Sequence, residues 1–175
     1  MRRATLILSG LLLLLGSSIA WADEAGQRRA ADFVQKFYAW YVPIALKPLK
    51  EASSNVAIAK RGSLFDPPLL KALKEDAEAA RNSPGDIVGL DFDPFLNAQD
   101  PSRKYVAGEV SESGGLYLVN VYAVSKGKRE TKPSVVAEVK PANGSFVFAN
   151  FGYGTDGDLV GILKGLADDR AHPSQ

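Results

Sequence analysis

The sequence predicts an α+β fold in which N-terminal helices pack on a curved antiparallel sheet of about four strands, followed by a short C-terminal helix. Apolar residues recur with a helical period in the first half of the chain, and with a period of two between residues 103 and 151. A helical period returns after residue 158. Helices followed by an uninterrupted run of strands are typical of an α+β domain.

Residues 1–22 are predicted to be a secretory signal peptide. Arg2 and Arg3 supply positive charge, Leu6–Leu15 forms the apolar stretch, and Ala20-Trp21-Ala22 provides small residues for cleavage after Ala22. The apolar run is shorter than the roughly 20 residues of a spanning helix, which disfavours a retained anchor. No cysteine is present to carry a lipid. We therefore expect a periplasmic or secreted protein without a stable membrane anchor.

The residues that follow suit one domain, predicted over 23–168, with a disordered tail over 169–175. The whole chain has a net charge of +1, and loss of Arg2 and Arg3 makes it −1. A nearly neutral protein has no overall field to attract nucleic acid or an anionic membrane, and no nucleic-acid partner is predicted. The absence of cysteine excludes disulfides, thiol nucleophiles and thiolate metal sites.

Two helices are predicted ahead of the strands. Residues 25–42 form the first, and Pro43 is expected to end it. Residues 44–62 are predicted to be a loop with a short helical turn. The second helix begins after Asp66, which can cap it, with Pro67 at its first position. The apolar positions of the first helix follow helical spacing: Ala30, Phe33, Val34, Phe37 and Tyr41.

Period-two alternation predicts a meander of antiparallel strands. Asn143-Gly144 indicates a tight hairpin, because a type I′ turn needs positive φ at both central residues. A last helix is predicted over 158–167, capped by Asp156 or Asp158. The predicted strands are Arg103–Ser111, Leu116–Ser125, Ser134–Val139 and Ser145–Phe151.

Four segments in this order carry a family resemblance: Phe37–Tyr41, Leu69–Leu73, Asp91–Asp100 and the closing strand with Tyr153 and its helix. Together they resemble the DUF3828 family of bacterial envelope and secreted proteins of unknown function. That family is similar to the NTF2-like superfamily, which implies a cystatin-like cone of helices on a bent sheet around a pocket. The resemblance covers roughly residues 33–166 and supplies no catalytic residue. This chain departs from lipid-anchored members by lacking a cysteine.

The acidic segment can be interpreted in two ways. Asp91, Asp93 and Asp100, with Asn97 and Gln99 between them, offer oxygen ligands of the kind that Ca²⁺ takes. Their spacing does not match an EF-hand, so we favour a structural plug held by local turns. No metal and no cofactor are predicted.

The aromatic residues could line a cavity between the first helix and the sheet. Some NTF2-like enzymes use an inward carboxylate and a tyrosine in such a cavity, which keeps a small enzyme as the alternative function. Glu109 and Glu138 are the central strand carboxylates, and alternation predicts that both face outward. The only histidine, His172, lies in the predicted tail. A basic hairpin (Lys126, Lys128, Arg129 and Lys132) could touch an anionic partner, although a solvated tip is favoured.

The sequence therefore predicts an exported, non-catalytic binding or interaction module, one version of which is an inhibitor or immunity-type protein. Its partner would be an envelope protein or a small ligand, and the resemblance also allows pairing of two copies through the open sheet face. A filled cone would favour the binding module, and a deep cavity with an unpaired buried carboxyl would favour the enzyme. The candidate binding residues are Tyr38, Tyr41, Asp91, Asp93, Asp100 and Tyr105.

Overall fold

The computed structural model describes residues 17–83 and 88–172, with side chains from Glu24 onward. Residues 1–16 of the predicted signal peptide therefore lie outside the described residues, as do residues 173–175 of the predicted tail. Within the described part, no helix combines the length and apolar character that a bilayer crossing needs.

Three helices precede the sheet and one follows it. The helices are α1 Ser17–Ala45, α2 Ser53–Arg61, α3 Pro67–Asn82 and α4 Leu159–Ala171. Short 3₁₀ turns cover Gly62–Leu64 and Gly154–Asp156. The strands are β1 Tyr105–Ser113, β2 Leu116–Ser125, β3 Lys128–Arg129, β4 Val135–Ala142 and β5 Ser145–Gly152.

The sheet is an antiparallel meander in the order β1-β2-β4-β5, with the two-residue β3 paired to the end of β2. The predicted α+β class, the antiparallel sheet and the closing helix are confirmed. Asn143 and Gly144 adopt φ values of 48° and 76° between β4 and β5, as the hairpin prediction requires. β4 runs to Ala142, past its predicted end at Val139, because the hairpin ladder continues to Ala142 opposite Ser145.

The prediction that Pro43 ends the first helix is wrong, since α1 continues to Ala45. Proline cannot donate a backbone hydrogen bond, but in the last turn this removes a single bond. The turn is still closed by the Leu46 N–H, which donates to the Val42 carbonyl at 3.1 Å. Burial of Tyr41 and Val42 keeps this end of the helix on the core.

The loop predicted over 44–62 contains a nine-residue helix, α2, instead of a single turn. Its helical form is supported by packing, since Ala57 is fully buried against the core. The last helix is also longer than predicted, so residues 169–171 are helical and do not belong to a disordered tail. Arg170 donates to the carboxylate of Asp76 on α3 at 2.9 Å, which ties this turn to the domain.

Two helix starts differ in how they are capped. The Asp158 carboxylate accepts from the Gly161 N–H at 2.9 Å, so it caps α4 as predicted. Asp66 precedes α3 but makes no side-chain cap. Its carboxylate instead binds the Lys140 ammonium at 2.8 Å, which links α3 to β4.

Aromatic rings fill the space between the helices and the inner face of the sheet. Phe37 on α1 is 3% exposed and lies at the centre of this cluster. Its ring centroid is 4.8 Å from that of Phe148 on β5 and 5.6 Å from that of Phe95. Phe65 packs on both Phe95 and Phe148. The predicted inward face of the first helix is therefore confirmed, and rings occupy the interior.

Candidate functional site

The centre of the acidic segment is a closed turn. Asp93 and Ala98 form an antiparallel bridge, with the Asp93 N–H donating to the Ala98 carbonyl at 3.0 Å. The carboxylate oxygen Oδ1 of Asp93 accepts from the Phe95 N–H at 3.0 Å and the Leu96 N–H at 3.2 Å. An aspartate before a proline favours this local pairing, and Asn97 completes the turn with a φ of 49°.

The other carboxylate oxygen of Asp93 points to the helices. Oδ2 accepts from the Tyr41 hydroxyl of α1 at 2.5 Å and from the Ser53 hydroxyl of α2 at 2.7 Å. A carboxylate has about four acceptor positions, so the two hydroxyls and two amides occupy all of them. Asp93 therefore joins the turn, α1 and α2 in one hydrogen-bonded centre.

Burial sets the electrostatics of this centre. It raises the pKa of Asp93 above its ordinary value, against the hydrogen bonds from Tyr41, Ser53 and the two amides, which lower it. Burial also raises the pKa of Tyr41, and the negative charge of Asp93 raises it further. Tyr41 is thus held as a neutral hydroxyl that donates to the carboxylate.

Two further tyrosines hold the same turn by hydrogen bonds to its backbone. The Tyr38 hydroxyl of α1 donates to the Phe95 carbonyl at 2.6 Å, and the Tyr153 hydroxyl donates to the Pro94 carbonyl at 2.7 Å. Burial raises the pKa of both hydroxyls. The favoured interpretation of the segment as a plug matches these contacts, because its backbone carbonyls are used to hold it in place.

The remaining candidate residues lie around this centre. The Tyr105 ring stacks on Tyr38 at 6.0 Å, and its hydroxyl accepts from the Ser102 N–H at 3.3 Å. Asp91 and Asp100 are exposed at the two ends of the segment. Within the described ranges, no three His, Asp or Glu side chains come together as a metal site would require.

An open cleft of about 550 Å³ lies beside the Asp93 centre. Asp93 and Ser53 form part of its wall, whereas Tyr41 does not. Asp91 also lines the cleft, and its carbonyl accepts from the Gln99 amide at 3.5 Å. The rest of the wall is mostly apolar and includes Ala45, Ala52, Leu90, Phe92 and Ala98.

The sequence did not indicate the parts played by Ser53 and Tyr153. Ser53 lies 40 residues before Asp93, in a stretch predicted to be mostly loop, so no periodicity related the two. Tyr153 follows β5 and reaches the turn only because that strand ends beside it. The one local signal was Ser53 itself, a serine at the first position of α2, a helix that the sequence predicted only as a short turn.

The strand carboxylates lie outside the aromatic interior, as alternation predicts. Glu109 is 60% exposed, accepts from the Tyr122 hydroxyl at 2.6 Å and binds Arg129 at 3.2 Å. The pKa of Glu109 is lowered to about 2, chiefly by the hydrogen bond from the Tyr122 hydroxyl. Glu138 is half-buried on the outer face, where burial and then Asp158 raise its pKa.

Comparisons with protein-family models, curated proteins and solved structures found no match to this chain. The resemblance to the DUF3828 family thus stays a prediction from the sequence.

Proposed function

We propose that this protein is an exported, non-catalytic binding module of the bacterial envelope, related to the DUF3828 family and to NTF2-like domains. Its partner is an envelope protein held at the cleft beside the Asp93 centre, as an inhibitor or immunity-type protein would hold its target. The signal-peptide pattern supports export, and the four matching segments support the family.

The observation that carries this proposal is the saturation of the Asp93 carboxylate. A general base needs an acceptor position that a substrate proton can reach. Both oxygens of Asp93 already accept two hydrogen bonds each from the chain itself. Among the described residues, rings such as Phe37 and Phe95 fill the interior next to it.

The surface beside the cleft has the composition of a contact site. In the loop between α1 and α2, Leu46 is 43% exposed and Leu49 is 40% exposed. They are two of the three large apolar residues that are exposed in the described part of the chain. This loop adjoins Ala45 and Ala52 in the cleft wall. Exposed leucines next to a cleft of mixed polar and apolar lining favour a protein partner over a small polar solute.

The enzyme remains as the alternative, because one observation favours it. Asp93 borders the cleft, its pKa is raised, and the Tyr41 hydroxyl lies 2.5 Å from its carboxylate. An enzyme of this kind would lose its activity in both Asp93→Asn and Tyr41→Phe. The binding module would retain its partner in both variants, provided that each variant folds.

Site-directed photo-crosslinking in an exporting bacterium tests the proposal. A photoreactive residue at Leu49 or Gln99 should give a discrete adduct with one envelope protein. Val160 on α4 is the matched control, since it is 44% exposed but does not line the cleft. Equal adducts at all three positions, or none at Leu49 and Gln99, would contradict the proposed site. Mass spectrometry of the same samples tests the predicted cleavage after Ala22.

A further inference from the structure

The end of the sheet opposite the hairpin of β4 and β5 collects basic residues from two distant parts of the sequence. The Val124 N–H of β2 donates to the Lys104 carbonyl at 2.9 Å, and Val124 also pairs with Arg129 of β3. The register thus places the start of β1 beside the β2–β3 turn. We call this surface the basic tip; it comprises Arg103, Lys104, Lys126, Lys128 and Lys132.

All five side chains of the basic tip are exposed. Among the described residues, none of the five forms an ion pair or a side-chain hydrogen bond. Arg129 lies among them but is already neutralised by Glu109 at 3.2 Å. Glu130 is the nearest carboxylate in sequence, and it accepts from the Ser125 hydroxyl.

This concentration of positive charge stands out against the rest of the chain. The protein has a net charge of −1 once Arg2 and Arg3 are removed, so the remainder of the domain is acidic. Like charges held together without partners repel one another, and this cost is recovered when they meet an anionic surface.

We propose that the basic tip docks the protein on an anionic phospholipid membrane. The charges lie on strand ends and a turn, and the clefts of 550 and 590 Å³ are lined by other residues. A spread of charges outside a cleft matches a plane of headgroups better than a single phosphate, which needs converging donors. This docking is independent of the partner proposed at the Asp93 cleft.

The rigidity of the tip supports a surface role. The Arg129 guanidinium lies 4.3 Å above the Tyr122 ring and is held by Glu109, which fixes the short β3 strand. Gly108 leaves the space for this stack, because a Cβ there would lie 2.7 Å from the Tyr122 ring. The lysines on either side are therefore presented from a fixed backbone.

Vesicle co-sedimentation of the protein purified after export tests this docking. The probe is phosphatidylcholine vesicles with and without one-third phosphatidylglycerol. Each basic residue near an anionic bilayer contributes a factor of about five to binding, so Lys126→Gln, Lys128→Gln and Lys132→Gln combined should weaken it about 100-fold. High salt should abolish binding to the parent.

The matched control is the combined variant Lys60→Gln, Lys74→Gln and Lys164→Gln. These lysines are also exposed, and the change in net charge is the same. Equal loss in both triple variants, or equal binding to neutral vesicles, would overturn the proposal. Stronger binding to soluble polyphosphate than to the anionic vesicles would also overturn it, in favour of a soluble polyanion. The melting temperatures of the variants show whether each one is folded.

Discussion

Two tyrosine–carboxylate pairs in this protein share almost the same geometry but lie on opposite faces of the sheet. Tyr41 donates to Asp93 at 2.5 Å on the inner side, and Tyr122 donates to Glu109 at 2.6 Å on the outer side. The pKa of Asp93 is raised, chiefly by burial, while that of Glu109 is lowered to about 2, chiefly by its hydrogen bond. The surroundings, more than the bond itself, decide how such a pair behaves.

The difference explains why the inner pair is structural. Asp93 joins α1, α2 and the 93–98 turn, and the neighbouring space is filled by rings. Glu109 instead holds Arg129 on an exposed strand, where its charge stays in water. Loss of the inner pair should therefore destabilise the whole domain, whereas loss of the outer pair should loosen only β3.

The largest effect is expected from the ring cluster behind the inner pair. Phe37→Ala should reduce the free energy of unfolding by about 3–5 kcal/mol, because a cavity replaces a central ring. Phe37→Leu keeps most of the volume and should cost clearly less. Urea denaturation of both variants measures this. An unchanged midpoint in Phe37→Ala would show that α1 does not pack in the core through Phe37.

The next effect separates hydrogen bonding from charge at the inner pair. Asp93→Ala leaves the Ser53 hydroxyl and the Phe95 N–H without their acceptor and should cost about 3 kcal/mol. The Tyr41 hydroxyl keeps Ser53 Oγ at 3.0 Å, and the Leu96 N–H keeps the backbone carbonyl of residue 93 at 3.3 Å. Asp93→Asn keeps an acceptor for the two amides, and the hydroxyls can rotate to accept from its amide, so it should cost about 1 kcal/mol. Denaturation measures the loss of unfolding free energy in each variant. Similar losses in both would contradict the claim that hydrogen bonds to Asp93 hold this centre together.

The two pairs should respond to pH with opposite signs. The pKa of Asp93 is raised on folding, so its contribution to stability is fullest at low pH and is lost as pH rises through the folded pKa. The pKa of Glu109 falls from an ordinary 4.5 to about 2, so its contribution is present above 4.5 and is lost toward pH 2.

Denaturation curves across this range measure the effect. The stability of the parent relative to Asp93→Asn should fall as pH rises, and that relative to Glu109→Gln should rise. Slopes of the same sign would show that burial does not distinguish the two carboxylates.

The smallest effect is expected from calcium. Because the carboxylate of Asp93 is already saturated, added Ca²⁺ should leave the melting temperature of both the parent and Asp93→Asn unchanged. A clear rise in the parent alone, seen by differential scanning calorimetry, would indicate that the acidic segment holds a metal ion.

Much of the fold follows from local sequence signals. The strands alternate with period two, Asn143-Gly144 specifies its turn, and Asp158 caps α4. These features depend on residues within a few positions of each other, so one sequence is enough to reveal them. The places of Phe37 and Tyr41 in the core also follow from helical spacing.

The missed features depend on long-range contacts. Pro43 stays helical because the core holds its turn, and α4 reaches Ala171 because Arg170 binds Asp76, which is 94 residues away in sequence. The pairing of Ser53 with Asp93 joins α2 to the acidic segment across 40 residues. Neither spacing nor composition encodes such pairs, so the sequence identified Asp93 and Tyr41 as candidates but not their pairing with each other or with Ser53.

Hydrogen exchange at the Phe95 amide tests the central claim most directly. This N–H donates to the Asp93 carboxylate, so its protection from exchange reports whether the hydrogen bonds of the Asp93 centre are formed. We expect slow exchange in the parent and in Asp93→Asn, and fast exchange in Asp93→Ala. Fast exchange in the parent would show an open carboxylate, available to a substrate, and would contradict the structural role that we assign to it.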